Sequence, residues 1–403
     1  SPEAAAHAAS AGTRHCAGAF GRAAITGPDR AARPEATHAD PAAQTAALFY
    51  TTGTTGRPKG VRLSRRSLLF SAASSAELRG FAPGGHVLAA LPGAHIFGFA
   101  SILLAALFAG ARLTLLARFD ADAALDAFAA GADAFSGTPQ MYPPLLARLA
   151  ARVAAGAPAP RPRYVSAGGA PLDPALKARV EAAFGAPLHN GYGLTEAAPG
   201  VAATRPAAPR GDLACGPPMP GVSIRLDFAV GGAEPAAGIG EILARGPNVM
   251  QGYHRDPAAT RAALDAEGWL RTGDLGRFTA DGALEVLGRR SELIIRGGFN
   301  VRPAEVEAAL ASHSAVALAA VIGRPEPGGA GDEEVLAFVT LRPGAPAPSV
   351  AALRAHLAPR LTAYKRPSRI ILADALPASA TGKVLKSELA RAFAEQLRGA
   401  APR

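Results

Sequence analysis

Between Arg163 and Gly193 the chain reads RYVSAGGAPLDPALKARVEAAFGAPLHNGYG, an order of signals that few architectures accommodate. A short apolar run enters a Gly-rich loop. Asp173 is then a good helix N-cap with Pro174 at the first helical position, and Gly185 stops the helix. A second apolar run and a second loop follow. Strand, loop, helix, strand and loop in succession predict α/β architecture, with functional loops at the C-terminal ends of the strands. The alternation begins earlier, with VLAALPG, an apolar helix in Ile96 to Ala111, ARLTLLARF, a helix from Asp120, and DAFSGTP.

The pattern changes twice downstream. From 206 to 288 short strands (GVSIRL, GEILARG, ALEVLG) lie between Gly and Pro turns, which predicts a β-rich subdomain. After Arg289 come strand ELIIRGG, helix PAEVEAALASH with Pro303 near its first position, strands ALAAVIG and EVLAFVTL, a helix capped by Ser349, and strand SRIILAD. That is a separate α+β domain. Residues 1–46 lack clear periodicity and read as peripheral. With 403 residues, 49% of them hydrophobic, the chain can bury more than one core.

The formal charge of +10 raises nucleic acid as a partner, but the arginines are scattered, so no nucleic acid is expected. A small polyanionic substrate suits the same field. Cys16 and Cys215, far apart, support neither a disulfide framework nor a zinc site, and a reducing cytoplasm fits best. The run Ile96 to Ala111 is shorter than the roughly 20 residues of a membrane span, so a buried core helix is expected there. No signal peptide is expected either.

Five segments carry chemistry. In FYTTGTTGRPKGVRLS, Gly53, Gly56 and Lys59 sit among Thr51, Thr52, Thr54 and Thr55. This is not a Walker motif, because Lys59 follows Gly56 by three residues and Gly60 succeeds it. Glycines still let a backbone approach phosphate oxygens, and the lysine supplies charge. A surface turn is the plain alternative. In NGYGLTEAAP, Tyr192 can stack on a base, Thr195 can contact phosphate and Glu196 can hold Mg²⁺, although an ordinary turn would look similar. GWLRTGDLGRF places Asp274 in a Gly-flanked turn, able to accept from ribose hydroxyls. LGRRSELIIRGGFNVRPAEVE marks the boundary of the last domain, and ALPASATGKVLKSEL holds Lys383 in a small-residue turn. A lone lysine there is usually solvated.

Together and in this order, the five segments resemble the adenylate-forming superfamily of acyl-CoA synthetases, peptide-synthetase adenylation domains and luciferases, from Leu48 to about Leu389. The resemblance implies a large N-terminal α/β domain at 47–290 with the β-rich subdomain inside it, and a small mobile α+β lid at 291–403. Thr51 to Gly60 would be the mobile phosphate loop. Gly168, Gly169 and Ala170, with Asn190, Gly191, Tyr192 and Gly193, match the adenine pocket. Thr195 and Glu196 match phosphate-contacting and Mg²⁺-associated positions, Asp274 and Arg289 the ribose ligands, and Lys383 the catalytic lysine. The pivot falls on Ser291, where many relatives have Asp or Lys, and Gly297, Gly298 and Phe299 would face a pantetheine tunnel.

The implied reaction consumes ATP with Mg²⁺ to make an acyl-AMP, then passes the acyl group to CoA. An acyl-carrier protein is the alternative acceptor, and a non-catalytic nucleotide-binding homologue is the alternative from another class. The acyl pocket would fall on LPGAHIFGFAS, with His95 gating or lining it and Phe99 beside it. That segment has no Asp for an ammonium and no Lys or Arg for a second carboxylate, so a fatty or aryl monocarboxylic acid is expected. The stretch before the phosphate loop is shorter than in relatives. A naturally short member, a fragment, or a dimer or other partner covering that side are the readings it leaves.

Overall fold

The computed structural model describes residues 15–17, 24–26, 40, 43–52, 58–326, 332–342, 344–378 and 384–398. The chain divides into two units, Ser1–Gln44 and Thr45–Arg403. In the first, β1 (His15–Ala17) and β2 (Ala24–Thr26) pair antiparallel.

In the second unit, β3 (Thr45–Thr52) and β4 (Pro58–Ser64) form an antiparallel hairpin, with Thr51 opposite Lys59. Helix Arg65–Arg79 follows, its first turn closed by Ser67 N–H donating to Ser64 Oγ. A six-stranded sheet then builds from β5 (His86–Ala89), β6 (Arg112–Leu115), β7 (Ala134–Gly137), β8 (Tyr164–Ala167), β9 (Leu188–Gly193) and β10 (Gly200–Ala203). Its order is β10-β9-β8-β7-β5-β6, all parallel except the edge strand β10.

Side chains alternate across this sheet, as a period of two demands. Val87, Ala89, Ala134 and Tyr164 face helices Arg65–Arg79 and Ala105–Ala109. Leu88, Phe135 and Val165 face helices Ala121–Ala129, Tyr142–Ala154 and Pro174–Phe184. The result is helix, sheet, helix in three layers, in which each fully buried Leu or Phe contributes about 1.5–3 kcal/mol. Chain order reverses around β5: β6 lies on one side of it and β7, β8 and β9 on the other. The crevice outside the C-terminal ends of β5 and β7 is therefore a topological switch point, where open α/β sheets bind ligands.

The caps expected from sequence form: Asp173 Oδ1 accepts from Leu176 N–H at 2.7 Å, Asp120 caps its helix, and Gly185 ends its own with φ +64°. The apolar run at 96–111 differs from expectation. It is a π-helical stretch, Phe97–Leu104, continuing into Ala105–Ala109, and Leu107 and Phe108 are exposed at its end. Only one face is core.

The β-rich stretch contributes β11 (Ser223–Asp227), β12 (Gly240–Arg245), β13 (Gly252–Tyr253), β14 (Leu270–Phe278) and β15 (Leu284–Arg289). Four make one antiparallel sheet, β11-β12-β14-β15, while β13 leaves it to pair with β4. Beyond lie the hairpin of β16 (Ile294–Arg296) and β17 (Phe299–Val301), helix Pro303–Ala311, and a sheet of β18 (Val316–Pro325), β19 (Glu333–Leu341) and β20 (Arg369–Leu372). These bury cores of their own, one around Val306, Val335 and Leu353 and another around Phe338 and Leu389.

Candidate active site

Asp274 and Arg289 are direct partners across the antiparallel pair β14 and β15. Arg289 Nε lies 2.9 Å from Asp274 Oδ1, and Tyr192 on β9 donates its phenolic hydrogen to Asp274 Oδ2 at 2.5 Å. Asp274 is buried; its backbone N–H donates to Thr272 Oγ1, which donates onward to Ile242 O. Burial, and then the Asp274 charge, hold the Tyr192 phenol well above its ordinary pKa, so it stays a donor. Burial works to lower Arg289, but neighbouring negative charge, Asp274 foremost and Glu196 included, outweighs it and raises the pKa.

Beyond β9 the chain makes one short 3₁₀ turn, Thr195–Ala197. Gly193 admits no side chain there: a Cβ would stand 2.1 Å from Pro199 O. The buried Asn248 donates from Nδ2 to Ala197 O (3.0 Å) and Gly200 O (2.7 Å), and Met250 N–H donates to Glu196 O at 2.8 Å. The turn is thus clamped from the 246–250 segment. Its carboxylate is held as well, because Tyr253 Oη donates to Glu196 Oε1 at 2.8 Å. The face of the Tyr253 ring lies 5.1 Å from Lys59 Nζ. Lys59, Tyr253 and Glu196 thus form one linked group across β4, β13 and the 195–197 turn, and Tyr192, Asp274 and Arg289 a second across β9, β14 and β15, with the Glu196 charge acting on Arg289 through space.

Gly168 and Gly169 open the loop after β8, before Ala170, and Gly168 lies against the Phe97 ring, where a Cβ would stand at 3.2 Å. The AGGAP and LPGAHIFGFAS segments thus meet. His95 is exposed and its Nδ1 accepts from Phe97 N–H at 3.2 Å. Phe99 packs inward against Phe49, ring centroids 5.4 Å apart. Asn190 uses its side chain internally, donating from Nδ2 to Leu213 O at 2.7 Å, and Gly191 follows it on β9.

Ser291 is exposed in the short turn Arg290–Glu292. Gly297 and Gly298, both at positive φ (+58° and +75°), turn the β16–β17 hairpin, and the exposed Phe299 stacks on Tyr364 at 4.6 Å. Gly53, Thr54, Thr55, Gly56 and Lys383, and the side chain of Thr52, lie outside the described residues.

Sequence reasoning missed Tyr253, Asn248 and Lys386. Lys386 Nζ donates to Glu292 Oε2 (2.7 Å) and to Glu307 Oε1 (2.8 Å), and those two charges overcome burial to raise its pKa. Its place three residues after Lys383, in the same motif, was the available signal. Nothing local singled out Tyr253 or Asn248.

Residues 5–254 match the AMP-binding enzyme family and residues 305–383 match the AMP-binding enzyme C-terminal domain. The chain is 36% identical over 346 residues to sulfoacetate–CoA ligase of Cupriavidus necator, covering 85% of this chain and 66% of that protein. It is 35% identical to 4-coumarate–CoA ligase 5 of Oryza sativa, covering 94% and 70%. Among solved structures, O-succinylbenzoate coenzyme A synthetase of Bacillus subtilis, in complex with ATP and magnesium ion, superposes with TM-score 0.74 at 33% identity, covering 86% of this chain and 70% of that one. The chain spans just under two thirds of the length of the sulfoacetate ligase. Motif order, fold and matched residues agree: the chain belongs to the AMP-binding enzyme family, the adenylate-forming group whose signature segments it carries.

Proposed function

We propose that this protein activates a carboxylic acid with ATP and passes the acyl group to the thiol of CoA. The convergence of Tyr192, Asp274 and Arg289 with Glu196 and Lys59 carries the reading, because it assembles ribose-type acceptors, a carboxylate and a phosphate-side cation in two groups coupled through the Glu196 charge. Residues 47–290 bind ATP and the acid, and 291–403 act as the lid pivoting at Ser291. Ribose hydroxyls donate to Asp274, while Arg289 stays cationic beside it. The adenine lies against Tyr192, with the 168–170 loop and Asn190 to Gly193 around it, and Thr195 contacts phosphate.

Glu196 fits Mg²⁺: Tyr253 occupies Oε1, and among the described residues Oε2 is the hard oxygen left for a cation. Mg²⁺ held there would neutralise phosphate charge. The acid's carboxylate oxygen bonds to the α-phosphorus as the bond to the bridging oxygen breaks, and pyrophosphate leaves. Lys59 with the Thr51–Gly60 loop receives the pyrophosphate, and Lys383 offsets charge where the acid attacks. In the second step the thiol gives its proton to solvent, its sulfur bonds to the acyl carbon as that carbon's bond to the phosphate oxygen breaks, and AMP departs. Gly297 and Gly298 leave room for the pantetheine arm.

The apolar LPGAHIFGFAS segment favours a fatty or aryl monocarboxylic acid, and the likeness to the coumarate ligase supports the aryl arm. An acyl-carrier protein would use the same tunnel. A pyrophosphate-release screen over fatty, aryl and amino acids, with and without CoA, tests the proposal. Release with apolar monocarboxylic acids and CoA-thioester formation are expected. Turnover of amino acids alone would overturn the substrate assignment, and thioester formed only on a carrier protein would overturn CoA.

A further inference from the structure

We infer that Tyr253 is a positioning residue that sets the Glu196 carboxylate for a divalent cation bound with a nucleoside triphosphate, and seats the Lys59 ammonium beside it. The inference rests on the role proposed for Glu196 and goes beyond it. Two distances carry it: Tyr253 Oη to Glu196 Oε1 at 2.8 Å, and Lys59 Nζ to the ring centroid at 5.1 Å.

Glu196 sits on a short turn within the field of Arg289. The phenol holds one carboxylate oxygen of Glu196, which leaves the other to be presented to a metal. Tyr253 is itself fixed: it lies on β13, opposite Val61 of the strand that carries Lys59, and its backbone N–H donates to Thr260 Oγ1 at 2.9 Å. The hydroxyl and the ring do separable jobs. The hydroxyl orients the carboxylate, and the ring face attracts the lysine.

The test uses the full chain and four variants: Tyr253→Phe, Tyr253→Leu, Glu196→Gln and the double variant Tyr253→Phe with Glu196→Gln. Mn²⁺ binding in the presence of a non-hydrolysable ATP analogue is followed by electron paramagnetic resonance, and metal-free binding of the analogue by calorimetry in EDTA. Tyr253→Phe should weaken Mn²⁺ about tenfold, within the range typical of groups that orient a metal ligand, and leave metal-free nucleotide binding unchanged. Tyr253→Leu should in addition weaken metal-free nucleotide binding about threefold through Lys59. Combining Tyr253→Phe with Glu196→Gln should bind Mn²⁺ no worse than Glu196→Gln alone. Wild-type Mn²⁺ affinity in Tyr253→Phe, or additive losses in the double variant, would overturn the inference. Should Tyr253→Leu fail to fold, the Phe and Gln variants still decide it. Intact Mn²⁺ responses with no acid-dependent pyrophosphate release would sink the ligase reading and leave this inference standing.

Discussion

Asp274 engages both oxygens, one with Tyr192 and one with Arg289, so its orientation is settled before any ligand arrives. Asp274→Asn weakens that grip and leaves a half-buried guanidinium without its anion. A charge-assisted hydrogen bond of about 1.5–3 kcal/mol translates to a rise of at least tenfold in the KM for ATP, measured by pyrophosphate release. An unchanged KM would exclude the ribose role. A second residue-scale prediction concerns stability. His189 is buried against Tyr164, ring centroids 4.9 Å apart, and burial, then Lys177 and Arg79, with Glu181 opposing, lower its pKa from 6.5 to about 4. The unfolded chain binds the proton first, so the stabilisation is complete above pH 6.5 and declines as pH falls to about 4. The slope is at most about 1.4 kcal/mol per pH unit, and His189→Phe should flatten that limb in chemical denaturation at stepped pH. Asp274 and Arg289 were legible because each sits inside a contiguous motif. Tyr253 was not, because its partner Glu196 lies 57 residues away and only pairing of β13 with β4 brings Tyr253 to the site.

Among the elements, the 195–197 turn is held by its surroundings, with backbone carbonyls at Glu196, Ala197 and Gly200 accepting from the 246–250 segment. Asn248→Ala removes both amide donors and leaves Ala197 O and Gly200 O unpaired, a loss of about 1–3 kcal/mol in urea unfolding. It should also depress pyrophosphate release more than it depresses stability, since Glu196 loses its platform. Gly193→Ala acts on the same turn from the other side by colliding with backbone, at a cost of about 1–3 kcal/mol read as a lowered midpoint. Helix ends were readable ahead of the structure: Asp120, Asp173 and Ser349 all cap as their side-chain chemistry dictates. The π-helical stretch was not readable, because its apolar run has no polar face to reveal the period. The two-residue β13 is too short to show any alternation at all.

For the whole molecule, the informative contact joins the β-rich stretch to the last hundred or so residues. Glu234 accepts from Asn300 Nδ2 at 3.2 Å and pairs with Arg302, next to helix Pro303–Ala311. Glu234→Ala should loosen segment 291–403 without unfolding its separate core, visible as several-fold faster limited proteolysis at Arg289–Glu292. Equal cleavage of both proteins would show that the pair contributes nothing to holding that orientation. A change of pattern after Arg289 is visible in the sequence, whereas the Glu234 latch depends on a loop between β11 and β12 that no local signal marks. The ion pair at the end of β15 then acquires a mechanical meaning. Arg289 is riveted to the sheet by Asp274, and Ser291, the proposed pivot, comes only two residues later. Torsion applied at that pivot stops at the rivet. On the proposed mechanism the lid swings while the nucleotide stays gripped, so the adenylate need never be released between its making and its use.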